Sequence, residues 1–142
     1  MQKKNNMNKK NPKQSQLIID RKKWYRGKGC DESQLYKSSG KMCCLGFACK
    51  QLGGLKTCHI NGINTPQAVA DRLDAKSRAA LLDTPLSFLF TPYVHDVVDV
   101  VNSNECNNLM NINDNMECLD VDRESLIKKI FKQNHIKVKF IN

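Results

Sequence analysis

The 142-residue sequence has no apolar run approaching the roughly 18 residues that cross a bilayer, which argues against a helical membrane span. Its first residues are lysines and asparagines where an export signal needs an apolar stretch, so the chain is expected to stay soluble in the cytoplasm, with no membrane partner. It has no C-x-x-C pair. Structural zinc is usually held by closely spaced ligand pairs, whereas here Cys43 and Cys44 are adjacent and Cys58 abuts His59. Cys30, Cys44, Cys58 and His59 make only a poor ligand set, and neither metal nor cofactor is expected. Seven cysteines without an export signal are expected to remain thiols rather than build a disulfide scaffold. Aromatic residues are scarce and none is interleaved with the N-terminal lysines, so the stacking platform of a single-strand binder is missing there. No internal repeat is present.

Charge is missing in blocks. Residues 1–16 carry five lysines and no acid, whereas residues 79–122 carry eight acids and no lysine or arginine, within a net charge of +9. A basic arm attracts nucleic acid by releasing counterions, which makes nucleic acid one candidate partner; a solvated, lysine-rich tail is the other reading. The arm has too little apolar content to offset the entropy of ordering it. Residues 1–16 are therefore expected to be disordered and residues 17–142 to form a single domain.

The apolar run Leu17–Ile19 leads to Asp20, a good N-cap for a helical turn through Trp24 that Gly27 and Gly29 stop. Residues 33–43 read as a hairpin, with Leu35 and Tyr36 on one arm, a turn at Ser38–Gly40, and Met42 and Cys43 returning. From Cys44 the period changes: Leu45, Ala48, Cys49 and Leu52 mark one face of a helix ended by Gly53 and Gly54. Thr65 and Pro66 open a further helix as N-cap and N1, and a short helix covers Ser77–Leu82. Thr91 and Pro92 repeat the start signal before a valine-rich segment, and "NNLMNINDN" reads as turn. Asp122 caps a helix with Leu126, Ile127, Ile130 and Phe131 as its stripe, and Ile136, Val138 and Phe140 alternate as a strand. The fold class is α+β: a small antiparallel sheet, made of the hairpin and the C-terminal strand, packed against several short helices.

Two chemical readings compete for "GKMCCLGFAC". A cysteine in the first turn of a helix meets free N–H groups and the positive end of the dipole, which favour thiolate. Cys44 would then be the nucleophile of a hydrolase or transferase, with His95 or His135 as base and Asp114 or Asn113 orienting the imidazole. Alternatively the thiols are compact filler, since free cysteine behaves as a small buried hydrophobe. Trp24, Tyr25 and Arg26 before Gly27 can form a stacking and anion-binding corner, or a core anchor beside a surface charge.

The strings "IDRKKWYRGKG", "SSGKMCCLGFAC" and "LMNIND", the last followed by an amphipathic helix and "IKVKF", resemble a set of small bacteriophage and prophage proteins. In these a tryptophan–arginine–glycine segment precedes a GKMCCLGF hairpin–helix junction. The similarity spans most of residues 17–141. It implies origin rather than a reaction, and singles out Trp24, Arg26, Gly27, Gly40, Cys43, Cys44, Gly46, Asn113 and Asp114. Cys30, Cys58, Cys106 and Cys118 fall outside it. The expectation is a phage-encoded accessory protein in the cytoplasm of an infected cell. It would bind a host defence protein or sequester a nucleotide-like small molecule in a pocket of Trp24, Arg26, Lys41, Cys44, Asn113 and Asp114. Helix N-termini accept phosphate readily. Oligomeric state is left open.

Overall fold

A computed structural model describes residues 14–29, 33–90 and 104–142. The elements, in chain order, are β1 (Ser15–Asp20), α1 (Cys44–Gln51), α2 (Thr57–Ile60), α3 (Pro66–Arg72), α4 (Ala75–Leu82), a 3-10 turn over Pro85–Leu89, α5 (Asn104–Asp114), α6 (Asp120–Gln133) and β2 (Ile136–Ile141). The class is α+β. None of the described helices is long and apolar enough to cross a membrane.

The sheet differs from the expected one. Its two strands come from opposite ends of the sequence and run parallel, Ser15 facing Ile136 and Asp20 facing Ile141. Parallel strands need a crossover connection, and here the whole helical body supplies it. Leu17 and Ile19 point inward from β1, as do Ile136, Val138 and Phe140 from β2, so the alternation expected for the C-terminal strand holds. The "LIID" run is thus strand rather than a lead-in to a helix, and it begins two residues inside the segment assigned to the arm. Asp20 still organises a turn: its carboxylate accepts the Lys22 N–H at 3.0 Å and its carbonyl the Lys23 N–H at 3.0 Å.

The expected hairpin forms its turn but not its ladder. Gly40 N–H donates to Lys37 O and Lys37 N–H to Lys41 O, both at 2.8 Å, with Gly40 at φ +85°. Beyond it the arms keep one backbone bond, Cys43 N–H to Gln34 O at 3.2 Å, while Met42 bridges to Trp24 and Tyr36 to Asn61. Each arm finds a longer-range backbone partner, which keeps the pairing between them from extending into a ladder.

Helix α1 starts where the change of period places it, and its residues Cys44–Cys49 are all buried. Gly46 explains why a glycine is tolerated inside a helix at a cost of about 1 kcal/mol. A Cβ there would lie 1.8 Å from the Leu35 carbonyl oxygen, so the loop before the Lys37 turn can lie on α1 only at a glycine. Gln51, at the other end, donates to Ile18 O at 2.7 Å and accepts from Ile18 N at 2.9 Å, occupying the outer edge of β1 as a neighbouring strand would.

Thr65 caps α3 as expected, accepting the Ala68 N–H at 3.2 Å, with Pro66 opening the helix. Helix α4 begins earlier than expected because Asp74 caps it, accepting the Ser77 N–H at 2.7 Å. Helix α6 likewise starts at Asp120 rather than after Asp122; Ile127 and Phe131 are buried, Ile130 is half-buried, and Leu126 is exposed. The largest local correction is α5. "NNLMNIND" is helix, not turn, because Cys106, Leu109 and Asn113 form its buried face. The valine-rich segment after Pro92, His95 included, lies outside the described residues.

Candidate functional site

Of the residues singled out by the sequence, Trp24, Cys44 and Asp114 meet at Asn113, which joins them. At the end of α5 and 1% exposed, its Oδ1 accepts the Trp24 indole N–H at 2.8 Å and the Cys44 backbone N–H at 3.0 Å. Its Nδ2 donates to Tyr25 O at 3.1 Å and to Asp114 Oδ1 at 2.9 Å. One amide therefore ties the tryptophan segment, the start of α1 and the end of α5 together, with all its hydrogen-bonding capacity used. Trp24 packs its ring against Phe140 of β2, centroids 5.1 Å apart.

The backbone of the following segment closes the end of α5. Gly27 N–H donates to Asn113 O at 2.8 Å and Gly29 N–H to Asp114 O at 2.9 Å. Both glycines have positive φ, which lets successive amides turn toward those carbonyls. Arg123, 2% exposed, completes the closure with its guanidinium, donating to the carbonyls of Ile112, Asn113, Asn115 and Cys118 at 2.6–3.0 Å and to Asp120 Oδ1 at 3.3 Å. Last-turn carbonyls of a helix have no partner within it, and a cation there also complements the dipole. Arg123 was not singled out from the sequence; its spacing of four and eight from Ile127 and Phe131 places it on the apolar stripe and was the available signal.

Arg26 behaves as a stacking corner whose anion comes from the chain itself. Its guanidinium lies 4.4 Å from the Trp24 ring centroid and makes a two-pronged pair with Asp120, both contacts 3.1 Å. The Arg26 hydrogen bonds hold the Asp120 carboxyl below the usual carboxylate range.

The thiols are not activated. Cys43 is the N-cap of α1 and Cys44 its first residue, and both are buried. Burial pushes the Cys43 thiol up to about 11 and the Cys44 thiol well above its ordinary value; the N–H groups of α1 pull the other way more weakly. Desolvation therefore outweighs the helix terminus, the reverse of what a nucleophile needs. The cavity beside them is about 30 Å³, lined by Ser33, Cys43, Cys44, Asn113 and Asp114 among others. That is the room of about one water. His135 is exposed at the start of β2 and lines a separate recess with Ser15, Pro85 and Phe88, so it is not brought to Cys44.

Of the poor zinc set, Cys44 is in the core, Cys58 is exposed, and Cys30 lies outside the described residues. His59 Nδ1 accepts the Lys56 N–H at 3.0 Å. Among the described residues no three His, Cys, Asp or Glu side chains gather as a metal site.

Lys41 is exposed, and with Tyr25, Arg26, Lys28, Leu119 and Asp120 it walls an open recess of about 500 Å³. The start of α1 does not reach this recess, so the expected anion pocket is divided between two places. Met116 and Leu119 also line this recess, and no motif marked their exposure: Met116, Leu119 and, in the first turn of α6, Val121 are 74%, 67% and 72% exposed. Their closeness in sequence, at the entry to a helix already supplied with its own buried stripe, was the readable signal. Comparison with protein families, curated proteins and solved structures gives no match to the chain.

Proposed function

We propose that the protein acts by binding another protein, through Met116 and Leu119 of the loop between α5 and α6, the recess they line, and Val121 in the first turn of α6. The observation that carries this is three large apolar side chains, close in sequence, that stand in water at the α5–α6 loop and the first turn of α6. Arg123 bonds to the carbonyls of Asn115 and Cys118, and Asn115 Oδ1 accepts the Glu117 N–H at 2.9 Å, so the loop is braced from below. Apolar anchors on a preorganised base lose little freedom on docking and are the usual source of interface energy. The lysines beside them, Lys28 and Lys41, have no ion pair among the described residues and favour a partner with acidic groups at its rim.

The resemblance to phage proteins makes a host defence protein the natural partner, and antagonism the natural consequence. A nucleotide-like ligand is less well supported, because the cavity at the start of α1 has room for water alone and the Cys44 N–H is already bonded. The test compares capture from host lysate by the wild type and by Met116→Ser/Leu119→Ser/Val121→Ser, followed by reassembly with the purified captured protein. The triple variant should keep its fold and lose the complex. Equal binding by both would overturn the reading, as would a thermal shift with nucleotides in place of any protein complex.

A further inference from the structure

We propose that the outer edge of β2 takes up an extended, acidic segment of a partner chain as a third strand of the sheet. In the parallel register, Ser15 N–H donates to His135 O at 3.2 Å and Arg21 N–H to Ile141 O at 2.9 Å, so the odd-numbered residues of β2 face β1. Ile136, Val138 and Phe140 therefore send their backbone N–H and C=O groups to the other side, where Ile136 is fully covered and Val138 and Phe140 keep 6% and 8% of their surface in solvent, so the open part of the edge is Val138–Phe140. Among the described residues nothing bonds to them there. The contrast with β1 is direct, since Gln51 fills the equivalent position on its outer edge. A two-stranded sheet with one edge occupied and the other unmet is a ready template for strand addition.

Charge selects the occupant. A recess of about 420 Å³ runs beside this edge, lined by Gln14, Lys128, Lys132, Ile136, Lys137 and Val138. Lys137 and Lys139 project from the solvent face of the strand, and these four lysines have no ion pair among the described residues. A second copy is disfavoured: antiparallel pairing centred on Val138 sets Lys137 of each copy against Lys139 of the other, and like charges directly opposite are destabilising. The same lysines that bar self-pairing favour glutamate or aspartate at alternate positions of an incoming strand. This surface is distinct from the Met116 loop, and the inference stands whether or not that loop binds a protein.

The probe is a fluorescein-labelled octapeptide of alternating valine and glutamate, titrated into the full-length protein by fluorescence polarisation, with residue-resolved amide exchange by NMR. Binding is expected together with slowed exchange at the Val138 and Phe140 amides, and a peptide N-methylated at alternate residues should not bind. Lys137→Glu/Lys139→Glu, both at exposed positions, should weaken the complex about tenfold or more. Binding that leaves the Val138 and Phe140 amides unchanged, or that survives N-methylation, would mean attraction by charge alone and would overturn the proposal. No binding of the acidic peptide would overturn it too, leaving the lysines as guards of a blunted edge.

Discussion

Replacing Asn113 separates a structural hub from an ordinary buried polar residue. Asn113→Ala leaves the Trp24 indole N–H, the Cys44 N–H and the Tyr25 carbonyl without their partner. A buried group left unmet costs about 1–3 kcal/mol, so a total of about 3–6 kcal/mol is expected after partial relaxation. That is a large share of the roughly 5–15 kcal/mol that holds a domain of this size. Asn113→Asp keeps both acceptor contacts but loses the donor to Tyr25 and sets a carboxyl beside Asp114. The introduced carboxyl would have its folded-state pKa raised by burial and by that neighbour. The unfolded chain then gives up the proton first, so the variant's deficit grows as pH rises from about 4 through the raised value. The deficit of Asn113→Ala should not vary with pH in this way. Trp24 is the single tryptophan, so urea unfolding followed by its fluorescence at pH 5 and pH 8 reports on the network itself. A loss under about 1 kcal/mol for Asn113→Ala would refute the reasoning.

Three further outcomes follow from the same geometry. Gly46→Ala should prevent stable folding, because the added methyl meets the Leu35 backbone rather than a movable side chain; circular dichroism with thermal melting checks it, and a melting temperature near wild type would disprove it. Arg123→Met keeps the stem packed but takes the guanidinium from the carbonyls of Ile112, Asn115 and Cys118, Asn113 O keeping the Gly27 N–H, and should cost about 3 kcal/mol or more in urea titration. Asp120 has its folded-state pKa lowered by Arg26; its contribution is present above the ordinary carboxylate value and lost as pH falls through the lowered one. Melting temperatures between pH 5 and pH 2 should fall less steeply for Asp120→Asn than for the wild type.

What the sequence made legible was what local pattern controls. The period change at Cys44, the Thr65–Pro66 start and the alternation of Ile136, Val138 and Phe140 each depend on neighbours a few residues away, and each element formed. The parallel pairing of Ser15–Asp20 with Ile136–Ile141 is not local, and a hairpin was the default that nearby residues offered. Helix α5 was missed because its stripe runs through Asn113, whose amide is buried by its partners rather than by hydrophobicity. Trp24, Arg26, Cys44, Asn113 and Asp114 did come together as a group. Their common role, however, is to join three segments, and exposed chemistry lies instead at the Met116 loop, which no motif marked.

The most direct measurement is the order in which the cysteines react. Iodoacetamide at neutral pH, with mass spectrometry over time, should label exposed Cys58 and half-buried Cys118 in the native protein. Cys43, Cys44, Cys49 and Cys106, all buried, should react only at the rate of global unfolding. Labelling of Cys44 ahead of Cys58 in the folded protein would contradict the account and restore a reactive thiol at the start of α1.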